Sequence, residues 1–295
     1  MSEIRIDALL PAEMATRAEY LGVRKAEMPA FTMFMLSLLA GAFISLGAIF
    51  ATTVSAGSMP ITSADGAVAY TTGLPFGVTR LLSGLVFCLG LILVVVGGAE
   101  LFTGNNLIVM AWANGKVTGR ALLRNWAIVY LGNFVASIAT AALMFFTRQY
   151  TFGANAVGLT ALRIAVAKCD FSFVQAVALG ILCNALVCLA VWLTYSARTT
   201  IDKILAIIFP ITAFVTAGFE HSVANMYFIP IGLFIKDFDP QFMAAVGDRV
   251  PNLELLTWQA FFIKNLIPVT IGNIIGGAVL VAAIYWVVFL RDKKA

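Results

Sequence analysis

Six apolar runs, each about as long as a lipid bilayer is thick, constrain the fold of this chain more than any other feature. They lie at about 31–54, 81–99, 124–146, 174–195, 204–218 and 262–289. A helix needs about 20 apolar residues to cross a membrane, whereas the strands of a membrane barrel are short and alternate in polarity. Only 12% of the residues are charged, compared with about 25% in soluble domains. The runs therefore predict an all-α membrane protein with six transmembrane helices.

Two polar clusters break the second and fifth runs. Both have the spacing Gly-x-Glu-x-x-x-x-Asn, from Gly98 to Asn105 and from Gly218 to Asn225. Backbone or charge left bare in lipid costs several kcal/mol per group, so such breaks persist only where they line a cavity. Two of them, one in each half, predict a pore near the bilayer midplane. The second cluster also contains the only histidine, His221.

The fifth run is too short to cross a membrane by itself. It spans only 15 residues, from 204 to 218, so the crossing must be completed after the break, near 226–235. The second run likewise continues past its break to about 113. The second and fifth helices are therefore predicted to be discontinuous.

The two halves of the chain repeat. The pattern Asn-x6-Gly-Asn occurs at 125–133 and again at 265–273, and the two Glu clusters follow the same order. Since each copy has three spans, the second copy must enter the membrane the other way up, as in inverted-repeat transporters. We expect a single channel domain over 1–295, with a cytoplasmic N-terminal helix in 1–30, repeat one at 31–146 and repeat two at 174–289.

The positive charges predict the orientation of the chain. Twelve of the 19 Lys and Arg residues lie on one side if both termini are cytoplasmic, as the positive-inside rule requires. The first apolar run begins only near Phe31, after a charged stretch, so no cleavable signal peptide is predicted. We expect a multi-pass protein with both termini in the cytoplasm.

Cysteine and histidine usage argues against several function classes. The four cysteines form no Cys-x-x-Cys pair and are expected to be packed free thiols. With one histidine in the chain, neither a metal site nor a heme site is expected, and no cofactor is predicted. A membrane redox enzyme is therefore disfavoured. We predict no enzymatic activity and expect no nucleic-acid partner. A water or glycerol channel would need Asn-Pro-Ala motifs, which the sequence lacks.

Four motifs resemble the formate/nitrite transporter family over about residues 10–291. They are Pro11 to Ala15, Gly98 to Asn105, Gly218 to Met226 and Asn265 to Gly277. Within that family the chain looks most like the FocA-type formate channels. The resemblance implies an aquaporin-like protomer in the bacterial inner membrane. It also implies a homo-pentamer in which each protomer has its own pore.

The resemblance also implies roles for individual positions. Thr103 would lie on a mobile loop after the second span, and His221 would lie at the centre of the pore. Asn184 and Asn273 would be polar pore residues, and Lys168 would lie near the outer vestibule. The implied constrictions are a cytoplasmic one of Leu91 and Phe102 and a periplasmic one of Phe87, Val187 and Phe214.

The chemistry of the pore centres on His221. The ideal cost of burying a small anion is of order 20 kcal/mol, and several kcal/mol after relaxation. Protonating a carboxylate of pKa about 3.5 at pH 7 costs about 5 kcal/mol, at about 1.36 kcal/mol per unit. His221 is the only group of near-neutral ordinary pKa in the pore. We expect it to donate a proton to the anion or to supply transient positive charge, with Thr103 bonded to it or to the substrate.

The other polar residues of the breaks are expected to have structural roles. Free carboxylates in the pore would repel anions, so Glu100 and Glu220 are predicted to accept hydrogen bonds from exposed amides of the half-helices. Asn105 and Asn225 are assigned to the same loop-structuring role. Lys168 could concentrate anions at the pore mouth.

The predicted function is passive, pH-sensitive transport of small monovalent anions, with formate first. The alternatives are a nitrite or hydrosulfide channel of the same family and a proton-coupled anion transporter. Acetate is a further expected substrate, and protons and the lipid bilayer are expected partners.

Overall fold

The computed structural model describes residues 8–57, 59–62 and 68–291 and is built almost entirely of helices. In chain order these are α1 (Pro11–Glu27), α2 (Ala30–Ser55), α3 (Phe76–Gly97), α4 (Val109–Ala113), α5 (Gly119–Thr147), α6 (Ala156–Cys169), α7 (Phe173–Ser196), α8 (Thr200–Ala217), α9 (Ser222–Phe238), α10 (Pro240–Val246) and α11 (Trp258–Phe289).

Six of these helices are long and apolar enough to cross a membrane, namely α2, α3, α5, α7, α8 and α11. They coincide with the six predicted runs, which confirms the helical membrane fold. The second crossing continues from α3 through a 3-10 turn at Gly104–Ile108 into α4, and the fifth continues from α8 into α9. The predicted breaks are therefore present, and each separates two pieces of one crossing.

A glycine in the left-handed conformation ends the helix before each break. Gly98 has φ 79° and Gly218 has φ 80°, a region that only glycine enters without steric cost. The N–H of the following residue then turns back onto the helix: Ala99 N donates to Val94 O at 2.9 Å, and Phe219 N donates to Phe214 O at 3.0 Å. This is the hydrogen-bond pattern of a glycine C-cap, so the first residue of each motif is fixed by backbone geometry.

The two halves pack in the same way. The glycine of each Asn-x6-Gly-Asn motif sits where two helices touch: a Cβ at Gly132 would collide with Ser37 on α2, and a Cβ at Gly272 would collide with the Val177 carbonyl on α7. The halves also meet each other, since Tyr130 Oη lies 2.9 Å from Thr270 Oγ1. These two residues are 140 positions apart, the offset of the two motifs.

Three features of the fold were not expected. A two-stranded antiparallel hairpin, β1 (Met59–Thr62) and β2 (Val68–Thr72), occupies the loop between α2 and α3. Helix α6 occupies the loop between α5 and α7. The last crossing contains π-helical stretches at Phe261–Leu266 and Ile275–Ala283.

Candidate functional site

Two cavities enter the helical bundle from opposite ends of α3. The α6-side cavity, near the start of α3, has a volume of about 250 Å³ and is lined by Phe87, Phe214 and His221 among others. The α1-side cavity, near the end of α3, has a volume of about 320 Å³ and is lined by Leu91 and Leu101 among others. The two cavities share no lining residue. The first break lines the α1-side cavity, and the second break lines the α6-side cavity.

The two breaks meet at one hydrogen bond. Thr103 Oγ1, from the first break, lies 2.9 Å from Nε2 of His221, from the second. The other ring nitrogen of His221, Nδ1, accepts the backbone N–H of Ala224 at 3.0 Å and so caps α9. Because Nδ1 is the acceptor, the neutral ring carries its hydrogen on Nε2 and donates it to the Thr103 hydroxyl. Both side chains are buried, at 0% and 3% exposure.

The first break is held by a network of four polar side chains. Lys25 Nζ, from α1, lies 2.6 Å from Glu100 Oε1 and 3.0 Å from Asn105 Oδ1. Asn105 Nδ2 donates to Glu100 Oε2 at 2.7 Å and to Asn125 Oδ1 at 2.9 Å. Asn125 Nδ2 closes the network on the backbone carbonyl of Lys25 at 3.0 Å. The carboxylate is therefore paired with an ammonium and with amides, as a buried charge must be.

The second break repeats this network with other residues. Lys168 Nζ, from α6, lies 2.7 Å from Glu220 Oε1. Asn225 Nδ2 donates to Glu220 Oε2 and to Asn265 Oδ1, each at 2.7 Å. Asn265 Nδ2 donates to the Lys168 carbonyl at 2.8 Å. Four bonds of the first network recur in the second, so the inverted repeat extends to the side chains of the site. The networks differ in one bond each: Lys25 Nζ also reaches Asn105 Oδ1, whereas Asn265 Nδ2 also donates to Glu220 Oε2 at 3.1 Å.

One asparagine in each half also fixes the backbone of its break. Asn133 Oδ1 accepts the N–H of Phe102 at 3.0 Å, and its Nδ2 donates to Glu100 O at 3.0 Å. Asn273 Oδ1 accepts the N–H of Ser222 at 2.9 Å, and its Nδ2 donates to Glu220 O at 2.9 Å. Asn273 is fully buried and lines neither cavity. In this conformation it therefore holds the break instead of facing the pore space.

Asn184 has a similar position on α7. Its Nδ2 donates to Asn273 O at 2.6 Å, to Thr103 O at 3.3 Å and to Asn106 Oδ1 at 3.3 Å. Cys188, one turn further along α7, also donates to Thr103 O at 3.3 Å. The loop that carries Thr103 is therefore clamped from the side by α7. In the second half, Val223 lies at the position that matches Thr103 and is part of α9.

The partners of the two glutamates differ from the expectation. Glu100 and Glu220 were predicted to accept backbone amides of the half-helices. In the structure their carboxylates accept from lysine and asparagine side chains instead. Lys168 is likewise paired with Glu220, and its side chain is 14% exposed within the α6-side cavity.

Two of the three residues predicted for the periplasmic constriction are in contact. Phe87 and Phe214 meet edge to face with ring centroids 5.6 Å apart, and both line the α6-side cavity. Phe214 stacks at 6.0 Å on the ring of His221, and Phe228, which the sequence reasoning missed, stacks at 6.5 Å on Phe87. Val187 is buried on α7 and lines neither cavity.

The two residues predicted for the cytoplasmic constriction, Leu91 and Phe102, do not line the same cavity. Leu91 lines the α1-side cavity together with Leu101. Phe102 does not line this cavity; its ring packs edge to face on Tyr130 at 4.9 Å and on Trp126 at 6.0 Å. Phe102 instead borders an apolar groove between α5 and α11. In this structure Leu101 occupies the place in the cavity that the sequence reasoning gave to Phe102.

Several residues of the site were missed by sequence reasoning. Asn125 and Asn265 were visible as part of the repeated motif, and their spacing could have assigned them to the site. Lys25 carried no such signal, because it lies in α1, before the first span. Within the part of the chain that the structure describes, no cluster of three or more His, Cys, Asp or Glu side chains could hold a metal ion.

Comparison with known proteins agrees with this geometry. The family profile described as Formate/nitrite transporter matches residues 12–287. The chain is 45% identical over 288 residues to "Formate channel FocA" of Escherichia coli, covering 97% of this chain and 96% of that protein. It is 43% identical over 276 residues to "Formate channel FocA" of Haemophilus influenzae, covering 93% and 92%.

Solved structures are similar over nearly the same length. "Pentameric formate channel with formate bound" is 43% identical, covers 89% of this chain and 98% of its own, and has a TM-score of 0.77. "FNT family ion channel" is 26% identical, covers 94% and 98%, and has a TM-score of 0.76. The inverted repeat, the two broken crossings and these matches lead to one conclusion: this chain belongs to the formate/nitrite transporter family.

Proposed function

We propose that this protein is a passive transmembrane channel for formate and related small monovalent anions, assembled as a ring of five protomers. The observation that carries the proposal is the place of His221. Its ring borders the α6-side cavity and is hydrogen-bonded to Thr103, beyond which lies the α1-side cavity. The names of the similar proteins, formate channels and a pentameric formate channel, support the substrate and the ring of five.

The apolar residues beside His221 favour passage of the neutral acid. Phe87 and Phe214 on one side and Leu91 and Leu101 on the other offer an anion no polar groups. Desolvating a carboxylate-sized anion costs several kcal/mol even after relaxation. Protonating formate at neutral pH costs about 5 kcal/mol on the scale of about 1.36 kcal/mol per pKa unit. A transient protonation near His221 therefore competes with desolvation of the anion.

The hydrogen bonds of His221 explain why such a protonation would be brief. The imidazolium form needs a hydrogen on Nδ1, where Ala224 N–H already donates. The ring also lies at the N-terminus of α9, where the helix dipole disfavours positive charge. In this mechanism the ring takes up a proton only when the Ala224 contact opens, and it returns to the neutral form once the acid has formed.

The proposal also covers the orientation, location and domain organisation of the protein. The distribution of Lys and Arg supports the cytoplasmic placement of both termini. The similar proteins from bacteria support a location in the bacterial inner membrane. The chain forms one channel domain, with α1 and repeats at 31–146 and 174–289. The absence of enzymatic activity belongs to the same proposal, since the similar proteins are named channels.

Flux into proteoliposomes tests this function. Formate, nitrite, acetate and hydrosulfide uptake would be followed at two pH values for wild type, His221→Ala and the matched control Thr140→Val. We expect rapid formate flux that depends on pH in wild type and in the control. His221→Ala should lower the flux and remove its pH dependence.

Three outcomes would change the conclusion. Unaltered, still pH-dependent flux in His221→Ala would remove the histidine from the mechanism. Faster nitrite or hydrosulfide flux than formate flux would reassign the substrate. A fixed ratio of protons to anions, with accumulation against a gradient, would make the protein a proton-coupled transporter.

A further inference from the structure

Among the described residues, one cation that lines the α1-side cavity has no bonded partner. Three cations and one carboxylate line this cavity: Arg17, Lys25, Lys203 and Glu100. Lys25 is paired with Glu100 at 2.6 Å, and Arg17 Nη1 donates to the Tyr195 carbonyl at 3.2 Å. Among the residues that the structure describes, no hydrogen bond or ion pair involves the side chain of Lys203.

The α6-side cavity has no such free cation among its described lining residues. Its two cations are Arg80 and Lys168. Lys168 is paired with Glu220 at 2.7 Å. Arg80 Nε donates to the Thr216 carbonyl at 3.1 Å, and its Nη2 donates to the Val215 carbonyl. Both cations are therefore already occupied.

Arg80 and Lys203 can be compared directly because they lie at opposite ends of the same pair of helices, α3 and α8. Helices α3 and α8 run antiparallel in contact, with Cys88 Sγ on α3 reaching the Ile208 carbonyl of α8 at 3.5 Å. Arg80 lies in the first part of α3 and reaches the last turn of α8. Lys203 lies in the first turn of α8 and shares a cavity with Gly98, which ends α3. One basic residue thus faces the partially negative carbonyl end of the opposite helix in each cavity, but only Arg80 is bonded to it.

We infer that Lys203 forms a binding subsite for small carboxylates in the α1-side cavity, and that the α6-side cavity has no counterpart. The Lys203 ammonium group has three N–H donors, and no bond to another described residue has to break before it binds an anion. Arg17 adds positive potential around it, whereas the charge of Lys25 is balanced by Glu100. A cavity of about 320 Å³ has room for a hydrated formate ion. Capture of the anion here would precede its desolvation between Leu91 and Leu101.

This inference rests on the proposed function and predicts a property that the two faces do not share. In a passive channel the permeability at low concentration must be the same in both directions. A subsite on one face therefore appears as a lower half-saturating formate concentration for uptake from that face. An exposed charge pair contributes about 0.2–1 kcal/mol, so removing the charge should change this concentration by about 1.4- to fivefold.

The experiment compares zero-trans formate flux from each face of proteoliposomes of known orientation, for wild type, Lys203→Gln and Lys203→Arg. Arg120→Gln is the matched control, because it removes one exposed positive charge near the same end of the bundle without touching the cavity. A parallel measurement follows binding of carbon-13-labelled formate to each detergent-solubilised protein by saturation-transfer NMR, which does not depend on transport.

We expect Lys203→Gln to raise the half-saturating concentration from the α1 side by about 1.4- to fivefold and to weaken formate binding. Uptake from the α6 side, Lys203→Arg and Arg120→Gln should match wild type. The effect should shrink as ionic strength rises from about 0.02 M to about 0.5 M, because salt screens a half-exposed charge. Equal changes on both faces, or the same change in Arg120→Gln, would overturn the subsite.

Different results would overturn the channel function and the Lys203 subsite. Wild-type protein that binds formate through Lys203 but passes none would overturn the channel function and leave the subsite standing. Normal flux with unchanged binding and unchanged half-saturation in Lys203→Gln would overturn the subsite and leave the channel function standing.

Discussion

Thr103 and His221, 118 positions apart in sequence, share a hydrogen bond of 2.9 Å at the meeting point of the two broken crossings. Each half of the chain thus contributes one member of the central pair. Only one half contributes the imidazole, since Leu101 lies 120 positions before His221. Only one half contributes the hydroxyl as well, since Val223 lies at the position that matches Thr103. The repeat builds a nearly symmetric frame, and the central pair arises from two departures from that symmetry.

The Thr103 hydroxyl should be required for full flux. Thr103→Val leaves the Nε2–H of His221 without its partner, and an unpaired buried donor costs about 1–3 kcal/mol. We expect formate flux in proteoliposomes to fall by about fivefold or more, whereas Thr103→Ser, which keeps the hydroxyl, stays close to wild type. The control is Thr140→Val, whose hydroxyl bonds only within α5. Equal flux in Thr103→Val and Thr103→Ser would contradict this role.

The two lysine–glutamate pairs should differ in their contribution to stability. The Lys168 side chain is 14% exposed and the Lys25 side chain 29%. Removing one partner of a buried pair costs about 3–5 kcal/mol, and less when solvent reaches the pair. We expect Lys168→Met to lower the melting temperature in detergent more than Lys25→Met.

A third pair provides the control for this comparison. Lys116, paired with Glu19, is 54% exposed, so Lys116→Met should cost about 1 kcal/mol or less. Replacing both members, as in Lys168→Met with Glu220→Gln, should restore part of the stability, because no unpaired charge is left buried. An additive loss in that double variant would argue against a direct pair.

The side clamp on the Thr103 loop can be tested through Gly277. A Cβ at this position would press on Asn184, Asn106 and Cys188, which hold the loop. We expect Gly277→Ala to lower formate flux by about tenfold, since misplacing a reacting group by about 1 Å can cost up to a hundredfold. Gly77→Ala is the control, because no atom lies within 4 Å of its added Cβ. Flux equal to that of Gly77→Ala would show that the loop tolerates the displacement.

Outside the spans, the Asp239–Tyr150 contact of 2.7 Å should set a pH window for stability. Burial acts to raise the pKa of Asp239, but hydrogen bonds from Phe242 N–H and Tyr150 and the charge of Arg148 outweigh it and lower the pKa. The group therefore stabilises the fold above the ordinary aspartate pKa of 3.8, and this contribution is lost as pH falls through the lowered value.

Tyr150 sets the alkaline end of the same window. Burial, and secondly the hydrogen bond to Asp239, raise the pKa of Tyr150 from 10.0 to about 12. Its contribution is complete below pH 10 and is lost as pH rises through the raised value. Melting curves in detergent should show that Asp239→Asn flattens the acidic decline and Tyr150→Phe the alkaline decline. An unchanged profile in both variants would mean that the contact does not control stability.

The sequence predicted the fold well because the strongest constraints are local. Apolar runs, the polar breaks that begin at Gly98 and Gly218, and a motif that occurs in two copies each depend on residues close together in the chain. His221 was singled out because an ionisable group inside a membrane is functional by default, and Thr103 was singled out through the family resemblance. These signals do not require knowledge of side-chain directions.

The parts of the site that the sequence did not predict depend on direction and distance. Leu101 and Phe102 are adjacent, and only the path of the backbone through the break decides that Leu101 borders the cavity while Phe102 packs on Tyr130. Lys25 reaches Glu100 from a helix outside the repeat, so no periodic pattern could connect them. Asn184 and Asn273 were predicted to be polar pore residues, and in the structure their hydrogen bonds include several to the breaks.

The hydrogen bond between Tyr130 and Thr270 joins two positions that correspond to each other in the two halves. Corresponding positions can touch only where they flank the axis that relates the halves. A half-length ancestor that inserted into the membrane in both directions would have brought these same two sites together as an antiparallel dimer. In such a symmetric dimer every contact between two different positions would occur twice. The single chain has Leu101 and Val223 at the counterparts of His221 and Thr103, so it makes this contact once.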